Sequence, residues 1–445
     1  MAIRLLRSGL RGRAALGLLG MMLAPLWLPG APAAALLPGR HHKAAAADAA
    51  PAAPGIKASQ APAFTIPVEP LGFAAPGPYY EGQRESLVSL DFLDENRLLF
   101  TFRTPGLLRR SSESGGEPRQ IRATVLTLPA GALETETLWT LHGNDRYVWM
   151  LHDGHFLLLD GNDLKQGDAT LDLKPLLHFP GPLLWLEMDP AQRYLVTNSH
   201  EPPDTRPQPG QVPSPATAQA EVDEDEQEAH DAGQPPIVLR ILRRSSGQVM
   251  LVSRVRTIAH VPINSEGYLE TLRSNGRDWL LNLNYFTGGS HLLGRVSSMC
   301  EPPMAFLTQD VALANTCTAQ GGRDLIALFL GSRQHWDAPS PPTQVWPLLV
   351  PAPGGLRIAR ETLTVSHPVG IYDPLSFDDV TGQLVEVFDS ATGALTLKAP
   401  ATPVLDGGGN VAISPSGRRV AILNAGAIEV YELPAPPPMP APPAH

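Results

Sequence analysis

The chain ends in a pattern that leaves few folds open. Asn410 to Leu423 and Ala427 to Leu433 hold three apolar runs of about four to six residues, separated by two turn signals. Runs of Val, Ile and Leu this short, bounded by turn residues, predict strands rather than helices. Ser414 and Pro415 suit the first two positions of a type I turn, and Gly417 suits the fourth. Two turns joining three strands make an antiparallel meander. A lone meander leaves its edges unpaired, so further copies of it are required upstream.

They are present. Met188 to Val196 lies over Ile413 to Ala421, and Phe92 to Phe100 follows the same order more loosely. The shared grammar is an apolar strand end, a turn carrying an acid or Pro, an arginine, then a second apolar strand. Degenerate copies run over Trp149 to Leu158, Pro262 to Glu270, Phe306 to Leu313 and Val350 to Ala359. With an insertion of about 35 residues subtracted, seven units give a mean period in the high forties, the size of a four-stranded propeller blade. Later strands of the units are legible in Val385 to Leu397, Ala123 to Gly131 and Val238 to Gly247, each with a glycine where a tight turn needs positive φ. The predicted fold is therefore all-β: a single seven-bladed β-propeller of four-stranded antiparallel blades, with six and eight blades as the bounds. A closed ring also accommodates 445 residues, more than one ordinary core supports, because each blade buries its face on the next. Phe64 to Val68, or Leu71 to Phe73, would supply the strand that closes the circle.

Outside the repeats, composition sets the domains. Arg4, Arg7, Arg11 and Arg13 precede an apolar run from Ala14 to Leu28 and small-x-small sites at Ala31 to Ala35, which predicts a signal peptide over 1–35. The alternative is an uncleaved anchor in the envelope, although the run is short for a bilayer span. Residues 36–80 are Ala- and Pro-rich and read as a disordered linker, with His41 and His42 exposed on it. The propeller is expected over 81–433, interrupted by a disordered acidic insertion over 201–236 and followed by a Pro-rich tail over 434–445. Removing 1–35 takes four arginines and no acids from a chain of net charge −10, leaving about −14. Nucleic acid and anionic membrane surfaces are poor partners for such a chain. Within the acidic run from Glu221 to Asp231, Asp223 to Glu228 lack the spacing of a calcium loop and read as a solvated run. Cys300 and Cys317 are the only cysteines; in an oxidising compartment they predict a disulfide, against the alternative of two buried thiols.

Three segments carry a family resemblance: Ile413-Ser414-Pro415-Ser416-Gly417-Arg418-Arg419-Val420-Ala421, Asp389-Ser390-Ala391-Thr392-Gly393 and Tyr194-Leu195-Val196-Thr197-Asn198. They resemble the WD40-like and YVTN-type β-propeller repeats of exported bacterial proteins. The Gly-His and Trp-Asp dipeptides of true WD40 repeats are missing apart from Trp336-Asp337, so eukaryotic scaffold roles do not follow.

No catalytic constellation stands out. A Gly-x-Ser-x-Gly elbow is absent, and Leu395 and Leu397 stand where quinone-dependent propellers carry a docking Trp. YVTN-type relatives include lactone hydrolases, for which His152 and His155, flanking Asp153-Gly154, are nameable candidates; solvent-facing turn histidines are the plainer reading. Trp139, Trp149, Trp185, Trp279, Trp336 and Trp346 read mainly as packing between blades. The expectation is an exported, periplasmic or secreted monomer without cofactor or metal, binding a protein, peptide or glycan. A lactonase-type hydrolase with a central metal is the alternative.

Overall fold

A computed structural model describes residues 61–75, 88–104, 118–142, 146–200, 237–330, 332, 335–371 and 373–440. The segments expected to form the signal peptide (1–35) and the acidic insertion (201–236) lie outside the described residues, as do 36–60 of the linker and 441–445 of the tail.

The chain is a seven-bladed β-propeller. Blade 7 closes the ring: β1 (Phe64–Pro67) pairs with the last strand of the chain rather than with its sequence neighbours. Blade 1 follows with β2 (Val88–Asp94), β3 (Arg97–Arg103), β4 (Arg119–Thr127) and β5 (Ala132–Leu141). Blade 2 holds β6 (Val148–Met150), β7 (Phe156–Asp160), β8 (Asp163–Gly167) and β9 (Lys174–His178). Blade 3 holds β10 (Leu183–Met188), β11 (Tyr194–His200), β12 (Ile237–Arg243) and β13 (Gln248–Val255), and the acidic insertion joins its second strand to its third. Blade 4 has β14 (Gly267–Asn275), β15 (Asp278–Tyr285) and β16 (Ser290–Ser297). Blade 5 has β17 (Met304–Thr308), β18 (Val311–Cys317), β19 (Arg323–Phe329) and β20 (His335–Ser340), and blade 6 has β21 (Gln344–Pro351), β22 (Arg357–Val365), β23 (Val380–Asp389) and β24 (Leu395–Ala401). Blade 7 is completed by β25 (Val411–Ile413), β26 (Arg419–Asn424) and β27 (Ala427–Glu432), in the order β1-β27-β26-β25.

Every repeat found in the sequence is the hairpin between a blade's first and second strands. In the terminal one Gly417 N donates to Ser414 O at 2.9 Å, the i to i+3 bond of the expected turn. Of the two closure candidates the first is the strand: Phe64 pairs with Val430 and Pro67 with Ala427. Glu69–Leu71 is instead a short 3-10 turn, and Phe73 packs in the core between blades 7 and 1. This ordered piece lies inside the 36–80 stretch expected to be linker, because the open edge of β27 supplies it with hydrogen-bond partners.

Blade 4 departs from the expected four strands. Its first strand shrinks to one bridge, Ile263 to Tyr268, beside which Leu269 N donates to Pro262 O at 2.8 Å. The preceding residues are held by blade 3 instead. Asn198 bonds both N and O of Ala259 at 3.0 Å, and His260 Nδ1 lies 3.1 Å from Glu187 Oε1.

The core is a set of radial layers, each shared by two neighbouring blades. Leu99, Val125 and Trp139 of blade 1 meet Phe156 and Leu158 of blade 2, and Val385 and Val387 of blade 6 meet Val420 and Ile422 of blade 7. Four of the six tryptophans, Trp139, Trp149, Trp279 and Trp336, are buried in such layers. Polar latches join the turns between first and second strands around the ring. Gln192 of blade 3 accepts from His152 N at 2.8 Å and donates to Met150 O at 2.9 Å in blade 2. Gln309 of blade 5 accepts from Ser265 N of blade 4 at 2.7 Å. Glu95 of blade 1 accepts from the Ser416 N and Oγ of blade 7 at 2.5 and 2.9 Å, which locks the closure. In all three cases a turn reaches back to the blade before it.

Cys300 and Cys317 are joined, with Cα atoms 5.6 Å apart and a sequence separation of 17. The bond fastens the approach to blade 5 to the end of β18. Replacing both by Ser is expected to destabilise the fold by roughly 3 kcal/mol, the loop-closure entropy of such a crosslink. The urea midpoint of the double variant against the oxidised parent measures it, and an unchanged midpoint would refute it.

Candidate functional site

The innermost strands of blades 1, 2, 3, 5, 6 and 7 enclose a central cavity of about 120 Å³. Blade 4 contributes nothing to its wall, in keeping with its reduced first strand. The cavity has two sides of different chemistry. Blades 5 to 7 offer apolar groups, among them Phe306, Leu307, Val350, Val411 and Ile413. Blades 1 to 3 offer Ser89, Asp91, Arg146, His152 and Asp189.

The polar side follows from strand alternation. In β2 Val88, Leu90 and Phe92 are buried in the layer against blade 7, so Ser89 and Asp91 must face the other way. Ser89 Oγ donates to Asp91 Oδ2 at 2.5 Å. Burial pushes the Asp91 carboxyl above the ordinary range, and the charge of Arg146 and the Ser89 hydroxyl pull part of the way back. Arg146, at the entry to β6, donates from Nε to Val148 O at 2.9 Å, and its guanidinium sits 5.5 Å from the centre of the Trp149 ring. That bond and that ring fix the guanidinium while its Nη1 and Nη2 make no bond to any described residue. Burial lowers the Arg146 pKa, and the Asp91 charge only partly offsets it. The two charges feel each other without closing an ion pair.

Asp189 and His152 stand at the opposite end, near the turns. Asp189 is a turn acid: its Oδ1 accepts from Tyr194 N at 2.7 Å and its Oδ2 from Ala191 N at 3.2 Å. Burial raises its pKa, against those backbone donors. His152 is exposed at the mouth, with its pKa lowered by partial burial and its ring unbonded to any described residue. His155 does not join it. Its Nδ1 lies 3.1 Å from Asp153 Oδ1, and it is not part of the cavity wall. Among the described residues no three His, Cys, Asp or Glu side chains come together as a metal-ligand set.

Sequence reasoning singled out His152 and His155 and passed over Asp91 and Arg146. The available signal was the alternation in Val88-Ser89-Leu90-Asp91-Phe92: polar residues at every second position of a strand that a propeller places innermost.

No protein-family profile and no curated protein matches this sequence. Solved structures resembling it include the acylaminoacyl peptidase of Pyrococcus horikoshii, at 8% identity and TM-score 0.43, over 80% of this chain and 52% of the peptidase. The β-propeller domain of the Trilobed protease from Pyrococcus furiosus aligns at 9% identity and TM-score 0.40, over 78% of this chain and 94% of that one. TolB from Acinetobacter baumannii aligns at 12% identity and TM-score 0.35, over 70% of this chain and 71% of that one. The chain thus spans about half the length of the peptidase, and no residue role is carried over from any of the three.

Proposed function

We propose that this chain is an exported, non-catalytic β-propeller of the WD40-like or YVTN type, which binds a protein, peptide or glycan through its central channel. The observation that carries the reading is the Arg146 guanidinium, fixed in the channel wall with two donor nitrogens that no described residue meets. Those nitrogens remain accessible from the channel, so a ligand entering it can accept from both. The disulfide supports an oxidising compartment. No helix among the described residues is long and apolar enough to cross a membrane.

The catalytic alternatives find less support. Ser89 is bonded to Asp91 with no histidine between them to act as base, so it lacks the arrangement that activates a serine nucleophile. A lactonase-type metal centre has no ligand trio among the described residues. The test is affinity capture from envelope extracts with the full chain and with Arg146→Met. The parent is expected to retain a partner that the variant holds at least tenfold more weakly, with circular dichroism unchanged. Lactone turnover that depends on added divalent cations and disappears in Asp91→Asn would overturn the reading.

A further inference from the structure

We propose that the channel binds a carboxylate carried on a short apolar stem, the carboxylate forked onto Arg146 and the stem lying against blades 5 to 7. The inference rests on the binding reading above and names the chemistry of its ligand. Four observations lead to it. First, the Arg146 guanidinium is held by Val148 O and by the face of Trp149, so its two terminal nitrogens are presented as a fixed planar fork. Such a fork matches carboxylate and phosphate oxygens bidentately. Second, the opposite side of the channel carries no charged side chain among the described residues and is lined by Leu307, Val350 and Val411, which suits a hydrocarbon stem better than an inorganic anion.

Third, Asp91 shares the lumen. A singly charged carboxylate tolerates one neighbouring acid far better than a doubly charged phosphate does, and among the described residues no second arginine or lysine lines the cavity to compensate. Fourth, size is limiting. A cavity of about 150 Å³ accommodates benzene, so the 120 Å³ here takes about five or six heavy atoms. Butyrate has that size, and so does a carboxyl-terminal alanine with its free carboxylate. These are two sources of one chemistry, a free small acid or a chain terminus.

The experiment titrates the full chain by calorimetry with butyrate, n-butylamine, inorganic phosphate, and a tetrapeptide ending in alanine as its free acid and as its amide. Arg146→Met and Asp91→Asn are titrated in parallel. The expected result is binding of a carboxylate probe, no binding of butylamine or phosphate, and a loss of tenfold or more in Arg146→Met. Asp91→Asn is expected to bind several-fold more tightly, because it removes a like charge. This second variant keeps the test decisive should Arg146→Met fail to fold. Binding of both butyrate and the free-acid peptide marks the small carboxylate as sufficient; binding of the peptide alone marks a chain terminus as the source. Absence of carboxylate binding at roughly 10 mM, equal binding of free acid and amide, or equal binding by Arg146→Met would overturn the proposal. A partner captured from envelope extracts in an Arg146-dependent way, alongside failure of every carboxylate probe, would overturn this inference and leave the binding function standing.

Discussion

Glu361→Gln is expected to stabilise the propeller at alkaline pH and to remove most of its loss of stability between pH 5 and 8. Glu361 lies in β22 with 1% of its surface exposed, and neither of its carboxyl oxygens has a hydrogen-bond partner. In register with it stand Leu348 on β21 and Val385 on β23, both apolar. A Cβ on Gly408, in the channel wall of blade 7, would fall 3.3 Å from Glu361 Oε2, so the carboxyl is packed between blades 6 and 7. The charged pair nearest in sequence, Arg360 and Glu386, is occupied with itself at 2.7 Å. Desolvation without compensation pushes the Glu361 pKa from 4.5 up to about 8. The folded chain therefore keeps a proton that the unfolded chain releases above pH 4.5. The stabilisation is complete below that pH and declines as pH rises through the interval to about 8, by about 1.4 kcal/mol per pH step. The total is on the order of 4 to 5 kcal/mol. Gln reproduces the neutral carboxyl without the proton, so its stability curve should be flat where the parent's falls. Urea denaturation at pH 5, 6.5 and 8 measures both, and parallel curves would sink the assignment.

That residue also marks the limit of what the sequence discloses. The blades were legible because each first hairpin repeats one order of strand end, turn and strand, and a local order survives drift in residue identity. Ser414 to Gly417 and Asp189 to Tyr194 both hold their turns with side-chain oxygens bonded to backbone nitrogens, so the polar letters of the repeat have a local cause. The first strand of blade 4 broke the rule because its neighbours compete for it. Pro262 has no N–H to donate, and Asn198 and Glu187 of blade 3 bind Ala259 and His260 across the gap. The channel was illegible for a different reason. Asp91 and Arg146 belong to neighbouring blades more than fifty residues apart, and only the packing of blade 2 on blade 1 places both in one wall. Gly409 depends on closure of the ring itself. Its φ is +106°, its carbonyl accepts from Leu90 N of blade 1 at 2.9 Å, and an added Cβ would collide with Val88 O. Nothing local in Gly407-Gly408-Gly409 announces that contact.

Arg357→Met is expected to be the most damaging single change among the described charged residues, costing about 3 to 5 kcal/mol. Arg357 is fully buried, and its Nε donates to Asp389 Oδ1 at 2.7 Å within blade 6. Its Nη1 donates to Gly417 O at 2.7 Å in the closing blade, and its Nη2 to Pro434 O at 2.9 Å where the Pro-rich tail begins. One guanidinium thus binds a strand, the turn of the neighbouring blade and the tail. Met fills a similar volume but leaves a largely buried carboxylate and two carbonyl oxygens without donors, and the unpaired carboxylate dominates the cost. Pairing the change with Asp389→Asn removes that charge and should recover a good part of the loss, which a volume effect alone would not allow. The tail provides an independent readout. With Pro434 O released, carboxypeptidase digestion should trim back past Pro440 faster in both variants than in the parent, while Asp389→Asn alone keeps the Pro434 contact and the slow rate. Equal trimming in all three, or a double variant no more stable than Arg357→Met, would show that the guanidinium does not hold the closing blade and tail together.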